Sequence, residues 1–192
     1  MAGATTMLKS ESVISLEGMV AREIETPLGK MIAFGTPRGV CLLEFLDRRS
    51  LSSERDELER LRGEVSSKGK NKHLDQLGKE LDGFFARKVK KFTVKLDTPG
   101  SPFEHKVWGR LLTIPYGQTL SYGQLAQDMG APGGSRAVGR ANGRNRVAIV
   151  IPCHRVVNAD GSLGGYGGKQ WRKRWLLDLE AGREPTITES AD

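Results

Sequence analysis

The sequence predicts a mixed α/β (α+β) fold in two parts: a small antiparallel sheet, then a mainly helical half built around a helix-turn-helix. Three observations predict it. Residues 17–45 show strand-like apolar runs broken by turn signals. Asp97-Thr98-Pro99-Gly100-Ser101-Pro102 is a two-proline linker, the kind of segment that separates packed units. Beyond it the apolar spacing turns helical, with a Gly-rich turn between two short helical stretches. The boundaries follow as 1–97, 98–182 and a polar tail, 183–192.

In chain order, Met19–Ile24, Met31–Phe34 and Val40–Phe45 form an antiparallel meander, with turns at Thr26-Pro27-Leu28-Gly29 and Gly35-Thr36-Pro37-Arg38-Gly39. Leu46 to Lys72 is charged and weakly apolar and reads as a loop or a solvated, fraying helix. Leu74, Leu77, Leu81 and Phe84-Phe85 place a helix over 73–87. Phe92, Val94 and Leu96 alternate with polar residues, which predicts a strand over 91–97. A helix over 103–114 buries Phe103, Val107, Trp108, Leu111 and Leu112. Ser121 with Gln124 is a capping-box pattern that starts a helix running to Met129. Gly130-Ala131-Pro132-Gly133-Gly134 turns the chain into a second short helix, 135–142. Val147–Ile151 reads as a short buried strand, 161–168 as a Gly-rich loop, and 169–180 as a closing helix.

Composition narrows the function classes. With 38% hydrophobic and 28% charged residues the chain suits a soluble globular protein. No apolar run approaches the roughly 20 residues that cross a bilayer, so no membrane partner is expected. Met1 to Ser15 lacks the basic and apolar blocks of a secretory signal. The two cysteines differ in character: Cys41 sits in an apolar run and Cys153 in Pro152-Cys153-His154-Arg155. That argues against a disulfide framework and for a cytoplasmic location. His73, His105 and His154 are scattered without zinc-ligand spacing, so no metal is expected. The net charge of +7 fits a polyanionic partner or a generally basic protein.

Cys153 is the candidate nucleophile. A thiolate is the reactive form, and cationic or hydrogen-bonding neighbours lower the thiol pKa from about 8.5. Alone, the Cys-His pair also fits a half-buried cysteine before a turn, and the helix pair also fits an ordinary αα-hairpin. Arg136, Arg140, Arg144, Arg146 and Arg155, with no acidic residue among them, favour a phosphate backbone.

Several segments then stand together in one order. Pro102-Phe103, Val107-Trp108, Ile114-Pro115-Tyr116-Gly117, Ser121-Tyr122-Gly123, Leu125-Ala126, Arg136-Ala137-Val138-Gly139, Asn145, Ile151-Pro152-Cys153-His154-Arg155-Val156 and Gly165-Tyr166-Gly167-Gly168 carry a resemblance over 98–182. The chain resembles the O6-alkylguanine-DNA alkyltransferases, the methylated-DNA–protein-cysteine methyltransferases; over 17–97 it does so by layout only. The resemblance implies an RNase-H-like N-terminal domain and a single-turnover transfer of an alkyl group from O6 of guanine to Cys153, with no cofactor. It implies that His154 takes the thiol proton through water, that Glu180 orients the imidazole, and that Asn145 ties the cysteine turn. Tyr122 would donate to a ring nitrogen of the base. The carbonyls of Cys153 and Val156 would accept from its exocyclic amine. Tyr166 would wall the pocket, and Gly167 would offer its backbone N–H near O6.

The target atom is hidden in the duplex, so the nucleotide must be flipped out. By resemblance, Arg136 fills the vacated place, while Ala137, Gly139 and Ala141 let the helix approach the minor groove of double-stranded DNA and Arg140 and Arg144 flank it. A monomer is implied, with cooperative binding on DNA left open. Three positions depart from the family pattern. Arg146 replaces the usual proline after Asn145, which loosens that turn and adds a DNA contact; Glu104 and Gln118 stand where Gln and Glu are common. A lesion sensor without transfer, a cysteine hydrolase and a helix-turn-helix regulator are the other readings. Cys153 opposes the first, the lack of any pointer to an oxyanion hole the second, and the Tyr122, Asn145, His154 and Glu180 set the third.

Overall fold

Three strands, β1 (Met19–Ile24), β2 (Met31–Gly35) and β3 (Val40–Phe45), form the predicted meander. The computed structural model describes residues 18–187, so the expectation for Met1–Ser15 and the end of the polar tail lie outside it. Gly29 closes the first turn at φ 105°, a conformation that needs glycine, and its N–H donates to the Thr26 carbonyl at 3.0 Å. Thr36 and Gly39 close the second. The sheet order is β3-β2-β1-β4, with β4 (Val65–Ser66) parallel to β1 and the other pairs antiparallel. This is the RNase-H-like outline that the resemblance implies.

The stretch read as a loop or fraying helix contains α1 (Leu51–Arg62) and β4. Of the α1 residues only Leu58 is buried, a stripe too narrow to stand out in the sequence. α2 (Lys72–Phe85) starts where Asn71 accepts from the N–H groups of His73 and Leu74, and it buries Leu74, Leu77, Leu81 and Phe84.

β3 lies at the sheet edge, yet all six of its residues are buried. Two other segments cover it. Val40 bridges Leu96, and Leu43 bridges Val147. Both segments were expected to be strands, and both are corrected to single bridges. Along 91–97 the alternation is real, with Phe92, Val94 and Leu96 turned in. However, Thr93 and Val94 spend their N–H groups on the Glu80 carboxylate, so no ladder forms. Val147–Ile151 is apolar because it is buried all round. Its backbone turns, with Ile149 at φ 71° and the Ile151 N–H donating to the Val147 carbonyl at 3.0 Å. A β-branched residue in that region is strained.

The second half follows its caps. Ser101 and Glu104 form a capping box at α3 (Pro102–Leu111). Ser121 and Gln124 form another at α4 (Tyr122–Asp128), and α5 (Ser135–Gly143) follows the Gly-rich turn. β5 (Leu120–Ser121) pairs parallel with β6 (Val156–Val157), and α6 (Gln170–Glu180) closes the chain. One apolar cluster runs from Leu28, Phe45 and Phe84 through Val107 and Val138 to Leu176 and Leu179, so the halves share a core. Arg172 clamps them further, donating to the Leu28 carbonyl and the Asp47 carboxylate. Among the described residues no helix is long and apolar enough to cross a membrane.

Candidate active site

Cys153 opens a single 3-10 turn, Cys153–Arg155, at the end of the strained segment. That segment is docked on β3: the Leu43 N–H donates to the Arg146 carbonyl and the Ala148 N–H to the Leu43 carbonyl, each at 2.8 Å. Asn145, 1% exposed, organises the turn from within. Its Nδ2 donates to the Ile151 carbonyl at 2.9 Å and to Cys153 Sγ at 3.1 Å, while its Oδ1 accepts from the Val147 N–H. Asn142, which the sequence reading missed, reaches the Cys153 carbonyl at 3.4 Å.

The thiol is not acidic in this resting geometry, contrary to the expectation for such neighbours. Burial pushes Cys153 up to about 11; Glu44 adds to this, while Asn145, Arg48 and Lys173 pull it down. At neutral pH the sulfur is a thiol, so a base must take its proton.

His154 and Glu180 supply a base and its orienting carboxylate. His154 Nε2 lies 2.8 Å from Glu180 Oε1, and both side chains are wholly buried. Burial lowers the His154 pKa more than the Glu180 contact raises it, so the ring is neutral. A carboxylate accepts only, so Nε2 carries the proton and Nδ1 the lone pair. Nδ1 has no partner among the described residues. Glu180 also accepts from Gly117 N–H at 2.9 Å, Arg155 Nε at 2.9 Å and Arg155 Nη2 at 3.0 Å. Despite its burial, the hydrogen bonds of His154 and Arg155 and the charge of Arg155 hold it down to about 2. Arg155 is therefore part of the site's frame, not a member of a basic surface.

Above Cys153 lies a cavity of about 390 Å³, within the usual range of small-molecule sites. Tyr122, Gly139, Asn145, Tyr166 and Gly167 line it, as do Glu44 and Arg48 from the first half. A Cβ at Gly139 would stand 3.8 Å from the Tyr122 ring, in ordinary contact with it, so that ring lies along α5. Burial raises the Tyr122 pKa, so its hydroxyl stays a donor. The Tyr166 hydroxyl is buried, without a partner among the described residues. The Val156 carbonyl accepts one bond, from Lys173 Nζ at 2.7 Å, and retains a second lone pair. The Cys153 carbonyl accepts two, from the Val156 N–H and the longer one from Asn142.

Arg136 and Arg140 project from α5 into solvent, with Ala137 and Gly139 half-buried between them. Ala141 is corrected: it is 3% exposed and faces the core, with its carbonyl accepting from Trp108 Nε1. Arg144 is exposed but paired with Glu104 at 3.1 Å. Arg146 is turned to Glu57 of α1, with which it pairs at 2.6 Å.

Of the residues missed, Glu44 had a signal, a lone acid in the apolar run Val40–Phe45. Lys173, fully buried with its amine on loop carbonyls, shares a helical face with Leu176 and Glu180. Arg48 and Asn142 had none, because their partners are distant in sequence or backbone.

Residues 102–182 match the family model described as 6-O-methylguanine DNA methyltransferase, DNA binding domain. A Mycobacterium bovis methylated-DNA–protein-cysteine methyltransferase is 55% identical over 106 residues, a match spanning 55% of this chain and only 64% of that protein. One from Mycobacterium leprae is 41% identical over 159 residues, covering 83% of this chain and 90% of that protein. The crystal structure of Mycobacterium tuberculosis OGT in complex with DNA superposes with a TM-score of 0.74 at 40% identity, covering 88% of this chain and 96% of that one. With the fold, the buried Cys153–His154–Glu180 arrangement and these likenesses in agreement, the chain belongs to the methylated-DNA–protein-cysteine methyltransferase family.

Proposed function

We propose that this protein repairs O6-alkylguanine in double-stranded DNA by moving the alkyl group irreversibly onto Cys153. The observation that carries this reading is a thiol at a cavity floor, hydrogen-bonded by Asn145 and followed by a neutral His154 on Glu180. His154 Nδ1 accepts the thiol proton through a bridging water. The Sγ–C bond then forms as the C–O6 bond breaks in line, and the electron pair passes to O6 and the ring. Guanine regains one ring proton, equal in number to the one Cys153 gave up. No redox partner or cofactor is needed. Tyr122 donates to a ring nitrogen, the Val156 carbonyl takes the exocyclic amine on its second lone pair and the Cys153 carbonyl takes it in place of the long Asn142 bond, and Tyr166 and the Gly167 N–H close the pocket.

α5 is the element offered to DNA, entering the minor groove with Arg136 filling the place of the flipped nucleotide and Arg140 on the backbone. Ala137 and Gly139 keep its surface low. Readout in that groove is degenerate, so binding depends on salt far more than on sequence. Residues 98–182 form the reacting domain and 1–97 the domain that supports it. The protein acts as a monomer in the cytoplasm, and its two free cysteines support a reducing compartment.

Incubation with a duplex bearing one O6-methylguanine, followed by intact-mass analysis, tests this directly. The chain gains one methyl group per molecule, mapped to Cys153, and Cys153→Ala gains none. Lesion binding without mass gain would make the protein a sensor instead.

A further inference from the structure

A displaced guanine needs a donor at O6 as well as at its ring. The bond that breaks leaves its electron pair on that oxygen, and a positioned donor there lowers the barrier. Among the side chains lining the cavity with Cys153 is Arg48, which follows β3 in the other half of the chain. A Cβ built on Gly167 would stand 2.6 Å from Arg48 Nη1 and 2.9 Å from its Cζ. The guanidinium thus occupies the place that a side chain at 167 would take.

The fork is held rigidly. Nε donates to Ser50 Oγ at 2.8 Å and Nη1 to Glu44 Oε1 at 2.6 Å. Nη2 donates to the Gly143 carbonyl at 3.1 Å and meets Glu54 Oε1 at 3.0 Å. A guanidinium has five N–H groups, and the hydrogen bonds engage three of them. Of the two that remain, one is on Nη1, the atom nearest Gly167. The Arg48 side chain is 9% exposed and that of Glu44 is 0%. Burying such a charge at a cavity wall is costly unless it is fully paired; its pair with Glu44 of β3 accounts for the burial and leaves an Nη1–H for the cavity.

We propose, resting on the transfer reaction above, that Arg48 is a catalytic residue that donates its remaining Nη1–H to O6 of the flipped base. Arg48 stays protonated throughout; it gives a hydrogen bond, not a proton. As Sγ–C forms and C–O6 breaks, the charge growing on O6 meets a guanidinium already aimed at it. Glu44 and Glu54 keep the fork in plane. Arg48 also favours the Cys153 thiolate through space, so the test must separate the two effects.

The separating measurement compares two alkyl donors on the intact protein. One is an O6-methylguanine duplex, whose leaving group needs the donor; the other is iodoacetamide, whose leaving iodide does not. The variants are Arg48→Met alone and Arg48→Met with Glu44→Gln, which spares a lone buried carboxylate. Single-turnover transfer from the duplex falls by about 10²–10³-fold in both, while lesion binding changes little; the pH profile of iodoacetamide alkylation at Cys153 moves up in Arg48→Met alone and is largely restored in the double variant, where the opposing influence of Glu44 leaves with it. Arg48→Lys recovers part of the loss. Equal losses with both donors would reduce Arg48 to a thiolate or packing role, and unchanged duplex transfer would remove it from the reaction. A wild-type chain that gains no methyl group overturns the reaction itself and this role with it.

Discussion

Replacing Glu180 with glutamine is the sharpest perturbation of the site's frame. Its carboxylate accepts from His154, Arg155 and the Gly117 N–H, and its pKa is held near 2 against an ordinary 4.5. At about 1.4 kcal/mol per tenfold, that difference is worth roughly 3 kcal/mol to the folded state at neutral pH. An independent route gives the same size. Glutamine is neutral and turns an amide N–H₂ toward groups that are themselves donors, leaving the Arg155 charge, 7% exposed, without a counter-ion. Breaking a buried pair from one side costs about 3–5 kcal/mol. For a domain of this size, such a loss lowers Tm by roughly 6–12 °C.

The sign with pH follows from the depressed value. The folded carboxyl titrates below the unfolded one, so the stabilisation is complete above about pH 4.5 and is lost as pH falls toward 2. Urea unfolding of the wild type and Glu180→Gln at pH 7, 5.5, 4 and 3 measures this. The gap stays constant between the first two points and narrows across the last two. A gap below about 1 kcal/mol at pH 7, or one independent of pH down to 3, would refute the account of Glu180 as the ionised centre of the frame.

Two further predictions rest on different contacts. Phe84, 0% exposed and in ring contact with Phe85, Phe92 and Tyr116, loses about 3–5 kcal/mol on truncation to alanine, read by the same urea titration. Arg146→Ala removes a half-exposed pair with Glu57 and costs about 1 kcal/mol or less. It leaves the salt dependence of DNA binding unchanged, whereas Arg140→Ala lowers that slope by about one; equal slopes for the two variants would put Arg146 on the DNA after all.

Local chemistry made much of this protein legible. Alternation placed β1 to β3, two capping boxes placed α3 and α4, and Cys153-His154 lie side by side in the chain. Reading failed where a local pattern had more than one cause. The apolar run 147–151 fits a buried strand and a buried turn equally well, and only Ile149 at φ 71° decides. Lone charges in apolar runs mark buried polar positions of the site. Glu44 and Lys173 sit on core faces, and both prove to be buried at or beside the cavity. Arg48 left no trace, since its meaning depends on Gly143 and Gly167, roughly a hundred residues away.

The same long-range contacts explain why the cysteine turn tolerates arginine where a proline was expected. A proline would fix one backbone angle locally. Here the Arg146 carbonyl accepts from Leu43 and its side chain holds Glu57 of α1, so the turn is pinned from the first half instead. Arg48 adds a second tie, from the end of β3 to the last residue of α5. The sheet therefore does more than support the reacting half. Its edge strand fixes the backbone that presents Cys153, and its last turn supplies charged wall to the same cavity. Damage to β3, far from Cys153 in sequence, has to be felt at the sulfur.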